Sequence, residues 1–97
     1  MDIITSHIQT DFDALGSMLA AKILYPDALI VFPGSQEKSV RDYLLDAPSL
    51  VREDMVKTRQ LDLDAVSRMI VVDTRQASRI GRFSQLLGRE GLTVILY

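Results

Sequence analysis

At 97 residues, with 47% hydrophobic side chains, the chain is sized for one small domain with a real core, and it is too apolar to be a disordered segment. The formal net charge is -2 with both signs interspersed and no basic stripe along the sequence, so the linear signature of a duplex-binding surface is missing, while a basic patch assembled only in three dimensions stays open. The absence of cysteine excludes disulfides, thiolate zinc sites and a cysteine nucleophile. No apolar run reaches the ~20 residues of a membrane span, and residues 1–4 lack the regions of a signal peptide, so a cytoplasmic protein is expected.

In chain order, Ile3-Ile4 predicts a short buried strand. Residues 14–25 follow with Leu15, Met18, Leu19 and Ile23 at helical spacing, and Pro26-Asp27 stops that helix. Residues 29–32 form a second β-rich run closed by Pro33-Gly34. Ser35 is placed to cap a helix whose face carries Val40, Tyr43 and Leu44, ending at Ala47-Pro48. Leu50-Val51 and Met55-Val56 each suggest a short strand, and Leu61, Leu63 and Val66 fit neither period. Residues 69–72 are a strong buried strand. Ile80, Phe83, Leu86 and Leu87 mark a helix face with Gly88 or Gly91 as its stop, and residues 92–97 are a last strand. Strands alternating with helices, and apolar throughout rather than every second residue, imply an α/β fold with a mainly parallel sheet and helices on both faces. No repeat, low-complexity stretch or linker divides the chain.

In an open parallel sheet, ligands bind outside the carboxyl ends of the strands. The segment after the first strand holds the one histidine, His7, with Asp11 and Asp13 behind it. If extended, that loop would put all three side chains on one side. Asp73 reaches the same edge from another strand. One imidazole and three carboxylates have the composition of a divalent-metal site, suited to Mn²⁺ or Mg²⁺, with zinc or iron as alternatives. Each residue also has a plain structural reading: Asp13 as a helix N-cap, Asp11 as a turn residue, His7 as a hydrogen-bonded ring, Asp73 as a cap. Gly16-Ser17 suits either an anion at the helix start or close helix–sheet packing. Pro33-Gly34-Ser35, Arg75 and Arg79 are candidate phosphate contacts with equally ordinary readings as turn and surface residues.

Residues 7–17, with His7, Asp11, Asp13, Ala14, Gly16 and Ser17, resemble the first motif of DHH phosphoesterases. Residues 69–74, an apolar strand ending in Asp73-Thr74, resemble the second, and residues 91–97 look like the strand that delivers the third, Asp-His-His motif. The resemblance implies that residues 1–97 are the N-terminal portion of a DHH-type domain, truncated at its C-terminal end. It implies two manganese or magnesium ions in the complete domain, His7 and Asp11 holding one, Asp13 the other, and Asp73 bridging them. The implied activity is metal-dependent phosphoester hydrolysis by the full-length protein, on a nucleotide, oligonucleotide or polyphosphate, with this portion inactive alone. The implied partners are a phosphate-containing small molecule or a single-stranded nucleic acid end and the C-terminal remainder of the protein. An open sheet edge could also pair two copies as a homodimer. Gln9-Thr10 stands where many members have Asn-Pro, which alters the loop but removes no ligand. Some members sit beside paired CBS domains and a nucleotidyltransferase domain of the poly(A) polymerase and tRNA-nucleotide-adding type. Residues 12–17 and 24–28 are compatible with that subgroup. The alternative is therefore a non-catalytic nucleotide- or metal-binding regulatory module within such a protein. A receiver-like aspartate site fits worse, because His7 and the Asp-x-Asp spacing of Asp11 and Asp13 do not match it and no lysine follows the last strand.

Overall fold

The computed structural model describes residues 1–48 and 52–97. The apolar runs become five short strands: β1 (Asp2–Thr5), β2 (Leu29–Phe32), β3 (Met55–Lys57), β4 (Arg68–Val71) and β5 (Thr93–Leu96). All pair in parallel, in the order β3-β2-β1-β4-β5. Because side chains alternate along a strand, the register sorts the sheet into two apolar rows. Ile4 aligns with Ile30 and Ile70, and Ile3 aligns with Met69.

The first row packs beneath the two α-helices. α1 (Phe12–Leu24) supplies Leu15, Met18 and Ala21, and α2 (Lys38–Asp46) supplies Val40. The second row, with Val31 and Val71, packs against Val66, Ile80, Phe83 and Leu86. Full burial of side chains such as Met18, Phe83 and Ile70 stabilises by about 1.5–3 kcal/mol each. The α/β class with a parallel sheet clad on both faces thus matches the sequence pattern.

Several local expectations are corrected. α1 starts two residues earlier than the apolar period suggests, because its N-cap is Asp11, whose Oδ1 accepts from the Ala14 amide at 2.8 Å. Asp13 is therefore not the cap; it lies exposed in the first helical turn. Ile23 is 82% exposed, since only the Leu15–Met18 side of α1 meets the sheet. Ser35 does not cap α2. Its carbonyl accepts from the Thr10 amide at 3.2 Å, and the helix begins after Glu37 with no side-chain cap. The Ile80–Leu87 helix is instead two 3₁₀ segments, Ala77–Arg79 and Gly81–Leu86. Ile80, Phe83 and Leu86 are buried as expected, but Leu87 is not. Leu50 and Val51 lie outside the described residues, whereas Met55-Val56 does form a strand. Leu61, Leu63 and Val66 fit neither period because they lie in and around short 3₁₀ turns that pack on the second apolar cluster.

The last turn of α1 is held by Lys22. Its ammonium donates to the Pro26 and Ala28 carbonyls and pairs with Asp54 at 2.9 Å, a cation placed where a helix C-terminus favours one. β5 closes the sheet on one side with Val94 and Leu96 exposed, an edge less covered than the apolar run suggests. Among the described residues, no helix is long and apolar enough to cross a membrane.

Candidate metal-binding site

The strand order reverses between β1 and β4, since β1 continues to β2 on one side and β4 lies on the other. Such a reversal opens a crevice at the carboxyl ends of the two strands. His7 follows β1 and Asp73 follows β4, so both flank that crevice.

Buried hydroxyls stitch the strand ends together. Thr5 Oγ1 donates to the Val31 carbonyl at 2.8 Å and Ser6 Oγ to the Val72 carbonyl at 2.7 Å. The loop beyond is pinned from three directions. Thr10 Oγ1 donates to the His7 carbonyl at 2.9 Å. The Ile8 amide donates to the Arg79 carbonyl at 2.6 Å, and the Glu37 amide to the Thr10 carbonyl at 2.9 Å. A parallel bridge joins Thr10 to Gln36. Two residues at the crevice take left-handed backbone angles without being glycine, Gln9 at φ 54° and Asp73 at φ 60°. Asparagine and aspartate tolerate that region better than most residues, yet it still costs free energy, and such backbone strain tends to gather at functional positions.

His7 is buried, and its Nδ1 lies 2.8 Å from the Ile8 carbonyl. A carbonyl only accepts, so Nδ1 carries the proton and Nε2 is left to face the crevice. Nε2 lies 3.4 Å from Asp73 Oδ2 and 3.8 Å from Asp11 Oδ1. These three side chains offer ligand atoms that all fall within 4.8 Å of one another. Two ligands each about 2.1 Å from one ion can be at most about 4.2 Å apart; both distances from His7 Nε2 satisfy that limit, and the two partly exposed carboxylates, within 4.8 Å of each other, need at most a small side-chain rotation to meet it. The set is one imidazole nitrogen and two carboxylates, with the imidazole oriented by a backbone carbonyl as metal-binding histidines usually are. The residues present therefore fit a divalent cation. The carboxylates are 39% and 37% exposed and the ring 5%, so the cluster opens to solvent on its acidic side.

Asp13, the fourth residue of the expected set, is not brought into this group of three. It sits one helical position beyond Phe12, on the outside of α1. Gly16 does not serve close packing either, since a Cβ there would meet nothing within 4 Å. Ser17 instead lines a cavity of about 380 Å³ with Val72, Asp73 and Tyr97, large enough for a small organic ligand beside the cluster. Arg75 lines a separate, smaller cavity with Thr74 and Ile80. Arg79 contributes its backbone carbonyl to the His7 loop. The buried hydroxyls of Thr5, Ser6 and Thr10 were not singled out from sequence. Their signal was a run of small polar residues directly after an apolar strand.

With this geometry in view, the chain is similar from end to end to a segment of a much longer known protein. Over all 97 residues the chain is 46% identical to an A-adding tRNA nucleotidyltransferase of Geobacter sulfurreducens. That match covers 100% of this chain and 11% of the relative, so the chain spans about a ninth of the relative's length. No family model matches the chain. No solved structure matches it.

Proposed function

We propose that this chain is a metal- and nucleotide-binding module of a larger nucleotidyltransferase-like protein. The observation that carries this reading is the end-to-end relationship, at 46% identity, to a segment of an A-adding tRNA nucleotidyltransferase. The His7, Asp11 and Asp73 cluster supplies the chemistry, because a nitrogen and two carboxylate oxygens suit manganese or magnesium. A divalent ion held there would draw phosphate oxygens to the crevice and act on them as a Lewis acid. The chain's own part is to hold and orient. Ile8 fixes the ring, the Asp11 carboxylate is held at the start of α1, and the left-handed backbone of Asp73 turns its carboxylate back toward His7. The cavity beside Asp73 would take the organic part of a phosphate-bearing ligand.

A second reading is supported by the same cluster and by the resemblance to DHH phosphoesterases. In it the complete protein hydrolyses phosphoesters with two metal ions, Asp13 serving the second and further ligands coming from beyond these residues. Calorimetric titration with manganese separates the proposals from a purely structural cluster. One ion per chain, lost in Asp73→Asn, supports the binding module. Heat no greater than dilution in both proteins removes the metal from either reading. Release of phosphate or nucleotide from a short oligoadenylate, dependent on manganese and on Asp73, would put the hydrolase reading first.

A further inference from the structure

Three adjoining clefts run along the β2–β3 side of the molecule, of about 370, 230 and 460 Å³. They are adjacent, since Gln36 lines all three and Lys57 lines two. Five cationic side chains border this groove: Lys57, Arg59 and Arg82 at one end, Arg41 and Arg52 at the other. That is five of the eleven lysines and arginines in a chain whose formal charge is -2. None of the five has a carboxylate within ion-pair distance among the described residues. The one acidic residue in the lining, Asp42, is occupied by Lys38 at 2.7 Å on the α2 surface. Positive charge is therefore concentrated, unneutralised and concave, which raises the local concentration of a polyanion.

The groove meets the candidate metal site. Gln36 bridges to Thr10, next to Asp11. Just beyond lie two exposed aromatic rings, Phe12 directly after Asp11 and Tyr43 on α2, packed edge to face with centroids 5.8 Å apart. They are 48% and 42% exposed, enough to leave ring surface for stacking. A basic track flanked by solvent-facing aromatic rings is the arrangement that holds single strands, whose bases are free to stack, whereas a duplex keeps its bases paired inside.

We propose that the groove bordered by Lys57, Arg59, Arg82, Arg41 and Arg52 binds the phosphodiester backbone of single-stranded nucleic acid and leads it toward the His7 crevice. The site needs no metal of its own, so it goes beyond the reading above and can fail separately from it. The test is fluorescence anisotropy of a short labelled single-stranded RNA, titrated with the chain in EDTA buffer over a range of salt concentrations. Binding should weaken linearly in log–log coordinates, and the slope should fall by about 1.4 in the double variant Arg59→Gln/Arg82→Gln, since single strands give about 0.7 per neutralised phosphate. Circular dichroism should show both proteins equally folded. A double variant with the wild-type slope overturns the proposal. So does equal affinity for duplex RNA, or displacement of the RNA by inorganic polyphosphate at far lower phosphate concentration than by unlabelled single strand, which would assign the groove to polyphosphate. Manganese titration of the same double variant reports on the metal cluster independently.

Discussion

His7 Nε2 and Asp73 Oδ2 stand 3.4 Å apart although 66 positions separate them in the chain. β1 and β4 are hydrogen-bonded neighbours in register from Asp2 against Arg68 to Thr5 against Val71, so the residues just past their ends must arrive together. What the strands alone do not dictate is orientation. That comes from the left-handed turn at Asp73 and from the Ile8 carbonyl that holds the imidazole.

The first prediction concerns this pair. His7→Ala and Asp73→Asn should each weaken manganese binding at least tenfold, roughly the loss that even an outer-shell change produces at metal sites. Asparagine is the useful replacement at Asp73 because it also tolerates a positive φ, so the backbone turn survives while the charge is lost. Asp13→Asn should leave this first ion within about twofold, because Asp13 stands outside the cluster. Manganese electron paramagnetic resonance gives bound and free ion directly. Equal loss in Asp73→Asn and Asp13→Asn would mean a bulk charge effect.

The turn after β4 is locked to the loop after β2 through Gly81. Its φ is 59°, and a Cβ there would lie 2.7 Å from the Pro33 carbonyl oxygen. Gly88 has φ 85° but open space around it. Gly88→Ala should therefore cost about 1 kcal/mol, the strain of an alanine in the left-handed region, and Gly81→Ala roughly two to three times as much. Urea unfolding of both variants checks this. Equal costs would show that the contact with Pro33 relaxes freely.

The strands were legible in the sequence because they are short, apolar and separated by clear turn residues. Ile3-Ile4 and residues 69–72 needed no tertiary information. Three of the four expected ligands, His7, Asp11 and Asp73, converge because strand ends in a parallel sheet share one edge. The fourth did not join them. The loop is not extended as its residue spacing would require, since Asp11 caps α1 and Asp13 is already helical. Phe83 and Leu86 carried helical spacing, yet 3₁₀ geometry buries the same residues, and apolar spacing over one or two turns does not separate the two. The basic groove was invisible along the chain because its cations come from α2, the end of β3 and the segments on either side of it, and the 3₁₀ segment Gly81–Leu86, and only folding gathers them.

A phenol pair supplies a pH prediction. The Tyr25 and Tyr97 hydroxyls are 2.7 Å apart, and Arg68 stacks 5.0 Å above the Tyr25 ring. The hydrogen bond with Tyr97, and then burial, push the Tyr25 phenol above its ordinary 10.0, against the opposite pull of Arg68. A group whose folded-state pKa is raised gives stability that is complete below its unfolded value and lost as pH climbs through the folded value. The tie between α1 and the end of β5 should thus persist up to pH 10 and weaken above it. Ultraviolet titration of the phenols in wild type and in Tyr97→Phe tests this. The Tyr25 transition should move back down toward 10 in the variant, and an unmoved transition would show that the hydrogen bond is not its main cause.

Asp11 carries two roles that substitution can separate. Its Oδ1 accepts from the Ala14 amide at 2.8 Å and the same oxygen lies 3.8 Å from His7 Nε2. As a cap it satisfies an amide that α1 otherwise leaves unpaired. Asparagine caps about as well as aspartate, whereas alanine forfeits about 1 kcal/mol. Asp11→Asn should therefore unfold near the wild-type midpoint but bind manganese much more weakly, and Asp11→Ala should lose both. Thermal unfolding in EDTA isolates the cap, and repetition with excess manganese adds the ligand role, since a bound ion raises the midpoint only in proteins that hold it. If manganese raises the midpoint of Asp11→Asn as much as that of wild type, Asp11 is a cap alone, and the ion, if one binds, is held by His7 and Asp73 without it.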